Sequence, residues 1–148
     1  MNAAIASAAV VVRRTIAATP EVLFDAFLDP EALAEWMRPG EIRSTVAQVE
    51  PRVGGAYQIT MQGQSGAILH TGVYRHIERP KRLVFTWRSP GTEERDTLVT
   101  IDFVPAGKRT EVVVTHEQLP ASAMPSHSRG WTSGLEHLDE ACQKGLLG

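Results

Sequence analysis

The chain of 148 residues has a single cysteine, Cys142, so no disulfide can form within it. The disulfide-built scaffolds of small secreted domains are therefore excluded. An excess of charge of one sign is also missing, since 15 Lys and Arg stand against 17 Asp and Glu, for a net charge of -2. The basic residues are scattered along the chain, which leaves no stripe for a phosphate backbone and speaks against nucleic acid as a partner. No apolar run reaches the roughly 20 residues that span a bilayer, so membrane insertion is not expected. The Ala-rich opening, Met1 to Val12, lacks the charge order of a secretory signal, because Arg13 and Arg14 follow its apolar stretch instead of preceding it. Residues 1–8 read as a loose leader, and a cytoplasmic location is expected. Also absent are Cys-x-x-Cys, His-Glu-x-x-His, Gly-x-Ser-x-Gly and a glycine-rich phosphate loop, so no catalytic signature stands out and no cofactor is expected.

What is present is a change of period along the chain. From Pro125 to Gly148 the apolar residues Trp131, Leu135, Leu138, Ala141, Cys142 and Leu146 recur at helical spacing, with charged and polar residues between them. This predicts a helix over Ser128 to Leu147 lying along a partner, with Gly130 and Gly134 near its start allowing close backbone packing. Before it, Val10 to Ile16 reads as a strand. Thr19-Pro20-Glu21 is then a helix start, with a hydroxyl cap, a proline at the first helical position and an acid in the first turn. Two short helices follow, one through Leu23, Ala26 and Phe27 and one through Leu33, Trp36 and Met37, and Pro39-Gly40 closes the second.

From Ile42 the period is two. Six strands follow: Ile42 to Glu50, then those carrying Tyr57, Ile59 and Met61, then Ile68, His70 and Tyr74, then Phe85 and Trp87, then Val99, Ile101 and Phe103, then Val112, Val114 and His116. The turns between them are too short for parallel crossovers, so the sheet is antiparallel. A bulge near Arg75-His76 would keep Ile77 on the face of Tyr74. One strand, a helical corner, six strands and a terminal helix give a single two-layer α+β domain over 1–148, long enough to bury roughly 70% of its unfolded surface.

The inward set is aromatic. Trp36, Met37, Tyr57, Ile59, Met61, Tyr74, Phe85, Trp87, Val99, Ile101, Phe103, Trp131 and Leu135 are candidates for lining a cavity between sheet and helix, because pockets use the same apolar types as cores. Strand parity places His70 and His116 among them, as polar groups that could orient a ligand. Two histidines without a Cys or carboxylate on the same face make an incomplete metal ligand set, so no metal is expected. His127 and His137 read as lying on the wet side of the last helix with no specific role, and Glu93-Glu94-Arg95-Asp96 reads as a solvated turn.

Five stretches carry a resemblance. They are Arg14-x-Ile16-x-Ala18; Leu23-Phe24-x-Ala26-Phe27-x-Asp29-Pro30-x-x-Leu33-x-x-Trp36; Arg52-x-Gly54-Gly55-x-Tyr57; Arg82-Leu83-Val84-Phe85-Thr86-Trp87; and Gly130-Trp131-x-x-x-Leu135. Together they resemble the START-like helix-grip (SRPBCC, birch-pollen-allergen-like) superfamily, and within it the activator-of-heat-shock-ATPase-homologue branch. The resemblance implies a curved seven-stranded antiparallel sheet wrapped around a long C-terminal helix, two short helices between strands 1 and 2, and an interior cavity. It also implies a choice of functions, because members bind lipids or polyketides, act as cyclases, or serve as co-chaperones. Where the family often has a second tryptophan after Trp36, this chain has the more adaptable Met37.

The residues favour binding of an apolar or aromatic small molecule without turnover. The alternatives are a cyclase-like or hydrolase-like enzyme, in which His70 or His116 moves a proton together with Tyr57 or Tyr74, and a co-chaperone-like protein-binding module. A homodimer is compatible with any of these.

Overall fold

The computed structural model describes residues 9–147. The stretch 1–8, read above as a leader, lies outside the described residues. Strand β1 (Ala9–Ile16) is followed by helices α1 (Pro20–Ala26) and α2 (Pro30–Trp36). Both helices start as their sequences dictate. Thr19 accepts a hydrogen bond from the Val22 amide at 3.2 Å, Asp29 accepts one from the Glu31 amide at 3.1 Å, and a proline occupies the first turn of each, where no amide is needed.

Six strands then run as a meander: β2 (Ser44–Val49), β3 (Ala56–Gly63), β4 (Gly66–Glu78), β5 (Arg82–Trp87), β6 (Thr97–Ala106) and β7 (Arg109–Glu117). The sheet order is β1-β7-β6-β5-β4-β3-β2, so the first strand pairs with the last and every pairing is antiparallel. The bulge expected near Arg75-His76 is present, since Tyr74 pairs with Phe85 and His76 with Val84, leaving Arg75 as the extra residue.

One close approach fixes the packing of β3, β4 and β5. Tyr57 pairs with Gly72, and its hydroxyl donates to the Thr86 carbonyl at 2.5 Å. A Cβ at Gly72 would collide with that carbonyl and with the Tyr57 ring. Only glycine leaves room for the ring to cross the neighbouring strand.

The long helix α3 (Met124–Gln143) covers one face of this curved sheet. It begins four residues before the predicted Ser128 start, because Pro125 occupies a first-turn position and the short turn Ala121–Ala123 leads directly into it. It also ends before the predicted Leu147. Gly145 takes φ +69, and the Leu146 amide reaches back to the Ala141 carbonyl at 2.9 Å, closing the helix as a Schellman turn. That reversal exposes Leu146, expected on the buried stripe, and buries Leu147 instead.

Of the rest of the stripe, Trp131, Leu135, Leu138 and Ala141 are buried as its period requires, and Cys142 is half-buried. An ion pair between Arg14 on β1 and Asp139 on α3, at 2.9 Å, ties helix to sheet. Beneath α1 and α2, Phe27 packs edge-on to Trp36 and Phe103, with centroids 4.7 and 5.6 Å away, and the Trp36 indole donates to the Ala26 carbonyl at 2.9 Å. Among the described residues no helix is long and apolar enough to cross a membrane.

Candidate functional site

The site forms where the first half of α3 passes over β3, β4 and β5. Trp131 comes from the helix and Trp87 from the end of β5, and their rings lie 5.5 Å apart. Beside them the space is not filled. A cavity of about 650 Å³ opens there, within the size range of small-molecule sites. Met61, Ile68, Trp87 and Trp131 wall it from the sheet and helix, while Met37, Pro39 and Ile42 close it from the segment after α2. That segment is held to the helix by the Gly40 amide, which donates to Ser133 Oγ at 3.0 Å. The polar lining is sparse, consisting mainly of His70, His127, Arg129 and three serines, Ser89, Ser126 and Ser133.

His70 is 8% exposed. Its Nδ1 lies 3.2 Å from the Ile59 carbonyl. A carbonyl only accepts, so Nδ1 carries the proton and Nε2 presents its lone pair. Burial pushes the imidazole pKa down to about 4, against smaller opposing effects of backbone bonds to Ile59 and Ile68, so the ring is neutral at pH 7.

His116, fully buried, differs in kind. Thr97 spends its hydroxyl proton on the Trp87 carbonyl at 2.6 Å, so at the 2.7 Å contact His116 Nε2 is the donor to Thr97 Oγ1. The Trp131 indole in turn donates to His116 Nδ1 at 3.0 Å. Both ring nitrogens are consumed, the tautomer is fixed, and burial pushes the pKa down to about 3. His116 is thus a structural pin that holds Trp131 in place.

Of the candidates named from sequence, Met37, Met61, His70, Trp87 and Trp131 line the cavity. Tyr57, Ile59, Tyr74 and Phe85 instead surround a separate void of about 10 Å³ on the other side of Trp87 and Met37, which is packed core in effect. Burial pushes the hydroxyl pKa of both Tyr57 and Tyr74 up, so neither ionises near neutrality. Trp36, Val99, Ile101, Phe103 and Leu135 are buried in the same core, away from the cavity.

His127, expected on the wet face with no role, is half-buried and lines the cavity. Its ring stands 5.2 Å from that of His116, and its Nδ1 lies 2.8 Å from the Ala123 carbonyl. The earlier start of α3 brings it there. His137, also expected to be exposed, is partly buried, with a sealed Nδ1 that lacks a partner among the described residues. The loop residues Pro39, Gly40, Pro90 and Gly91 complete the lining and were not singled out by periodicity, which sees strands and helices but not their connections; Arg129 and Gly130 join them from α3. Among the described residues there is no group of three or more His, Cys, Asp or Glu that could hold a metal.

Solved structures share this architecture. Protein CV1439 from Chromobacterium violaceum is 26% identical, with a TM-score of 0.77 over 89% of this chain and 94% of its own. PFC0360w, an HSP90 activator from Plasmodium falciparum, is 26% identical, with a TM-score of 0.74 over 91% of this chain and 96% of its own. DynU16, from the dynemicin biosynthetic locus, is similar in fold alone, with 19% identity and a TM-score of 0.77 over 93% of this chain and 48% of its own. No curated protein matches the chain. The sequence model of the Activator of Hsp90 ATPase homolog 1-like proteins matches residues 17–143, from the end of β1 to the end of α3, and the chain belongs to that family.

Proposed function

We propose that the cavity between β3–β5 and the first half of α3 binds an apolar or aromatic small molecule and releases it unchanged. The observation that carries this reading is the pair of tryptophans, Trp87 and Trp131, beside about 650 Å³ of largely apolar space in a domain whose remaining core is tightly packed. Burying a flat organic molecule there would gain about 25 cal/mol per Å² of apolar surface removed from water, less the cost of immobilising it.

The enzyme alternative raised from the sequence pairs His70 or His116 with Tyr57 or Tyr74, and the hydrogen bonds do not form that pair. Tyr57 is committed to Thr86, His116 to Thr97 and Trp131, and no His–Tyr hydrogen bond forms among the described residues. The test is to titrate an environment-sensitive apolar dye, displace it with aromatic polyketides, fatty acids and phenolic esters, and follow each competitor by mass spectrometry. Displacement with intact competitors is expected. Conversion of a competitor that disappears in His70→Phe would favour the enzyme reading.

A second reading is favoured by one observation, the 26% identity to an HSP90 activator over 91% of this chain. A co-chaperone would stimulate the ATPase of an Hsp90 in a coupled assay, with saturation at a defined stoichiometry. No stimulation is expected if ligand binding is the whole function.

A further inference from the structure

Resting on the small-molecule reading above, we propose that the ligand is an aromatic compound bearing a neutral hydroxyl group, a phenol or a close relative, whose O–H donates to His70 Nε2. Three observations converge on this class.

The first is the fixed tautomer of His70. Its proton is directed at the Ile59 carbonyl, so what it offers the cavity it lines is an acceptor. The residue is 8% exposed, yet Nε2 is not among the sealed atoms, so the lone pair is open to whatever occupies the cavity.

The second is the company the imidazole keeps. Its ring lies 4.8 Å from the Trp87 ring, so a donor that reaches Nε2 arrives against an aromatic wall, where a flat ring gains most. The Trp87 indole N–H is sealed without a partner among the described residues, so the ring meets the cavity with its apolar surface and the imidazole supplies the polar contact.

The third is what the lining lacks. No aspartate or glutamate is among the lining residues, so an ammonium group would find no counter-charge. A carboxylate at His70 would set its own lone pairs against that of Nε2. Arg129 also lines the cavity, so a carboxylate would be drawn to that guanidinium and not to the neutral imidazole. A neutral O–H satisfies the acceptor and brings no uncompensated charge into the cavity.

Naphthalene, 2-naphthol and 2-methoxynaphthalene separate these possibilities, since they share a ring system and only 2-naphthol can donate. Affinities are measured at pH 7 by displacement of the apolar dye, for the wild-type chain and for His70→Phe, which keeps a flat ring and removes the acceptor. The wild-type protein should bind 2-naphthol about five- to tenfold more tightly than the other two, the worth of one hydrogen bond in a dry site. In His70→Phe the three should converge on the naphthalene value, and retained naphthalene binding shows that the variant is folded. Equal wild-type affinities for all three overturn the inference while leaving the cavity reading intact. A 2-naphthol preference that survives His70→Phe overturns the role of His70. Failure of all three to bind the wild-type chain overturns both.

Discussion

The Trp131 indole N–H donates to His116 Nδ1 at 3.0 Å, and this bond joins the first half of α3 to β7. It is the end of a chain in which His116 donates to Thr97 and Thr97 to the Trp87 carbonyl, so the two tryptophans beside the cavity are linked through one fully satisfied buried network. The network sets the position of Trp131 independently of any ligand, which makes the cavity wall rigid before anything binds.

Removing the bond and removing the ring should therefore have separable costs. Trp131→Phe keeps most of the packing but orphans His116 Nδ1, and should destabilise the fold by about 1 to 3 kcal/mol. Trp131→Ala also loses the buried ring, for about 3 to 5 kcal/mol. Urea melts of both variants check the order. Equal midpoints for wild type and Trp131→Ala would contradict it.

The same network predicts how stability responds to acid. His116 and His70 have folded pKa values of about 3 and about 4, below the 6.5 of a free imidazole. Each is neutral in the folded state while the unfolded chain takes up a proton, so their contribution is fully present above pH 6.5 and is lost as pH falls toward 4. Two such groups give a slope approaching about 2.7 kcal/mol per pH unit toward the lower part of this window. Urea midpoints at pH 7.5, 6.5, 5.5 and 4.5 should fall progressively below pH 6.5; half the slope would show that one imidazole takes up its proton in the folded state, and a flat profile that both do.

Two glycines should respond in opposite directions to alanine. At Gly72 a Cβ meets the Thr86 carbonyl and the Tyr57 ring, and the ring cannot withdraw without breaking its hydrogen bond, so Gly72→Ala should cost about 2 to 4 kcal/mol. At Gly134, inside α3, a Cβ would sit 3.7 Å from Trp36 Cζ3, an ordinary contact. Gly134→Ala should stabilise by about 0.5 to 1 kcal/mol through helix propensity alone. Thermal melts of the two variants check both signs.

The faces of the sheet were legible in the sequence, because alternation in Tyr57-Gln58-Ile59-Thr60-Met61 assigns sides without knowledge of the partner strand. Depth along a strand was not legible. Tyr57, Ile59 and Met61 share a face, yet only Met61 reaches the cavity, since what distinguishes them is how far each lies from the end of the sheet where the first half of α3 crosses. The roles of His116 and His70 were likewise hidden. Parity put both inside, but which ring nitrogens are spent depends on Thr97, Trp131 and the Ile59 carbonyl, and the contacts with Thr97 and Trp131 are made by folding across strands and helix. His127 could have been found, because Pro125 two residues earlier is a first-turn signal that moves the helix start to Met124.

The three tryptophans are built-in reporters of where a ligand sits, and their indole N–H resonances in a two-dimensional NMR spectrum test the central claim most directly. Trp36 is fully buried away from the cavity and bonded to the Ala26 carbonyl, whereas Trp87 and Trp131 wall the cavity. Titration with naphthalene should shift the Trp87 and Trp131 signals along saturable curves with a common dissociation constant and leave Trp36 nearly unmoved. Three unmoved signals at saturating naphthalene, or a response confined to Trp36, would contradict binding in this cavity.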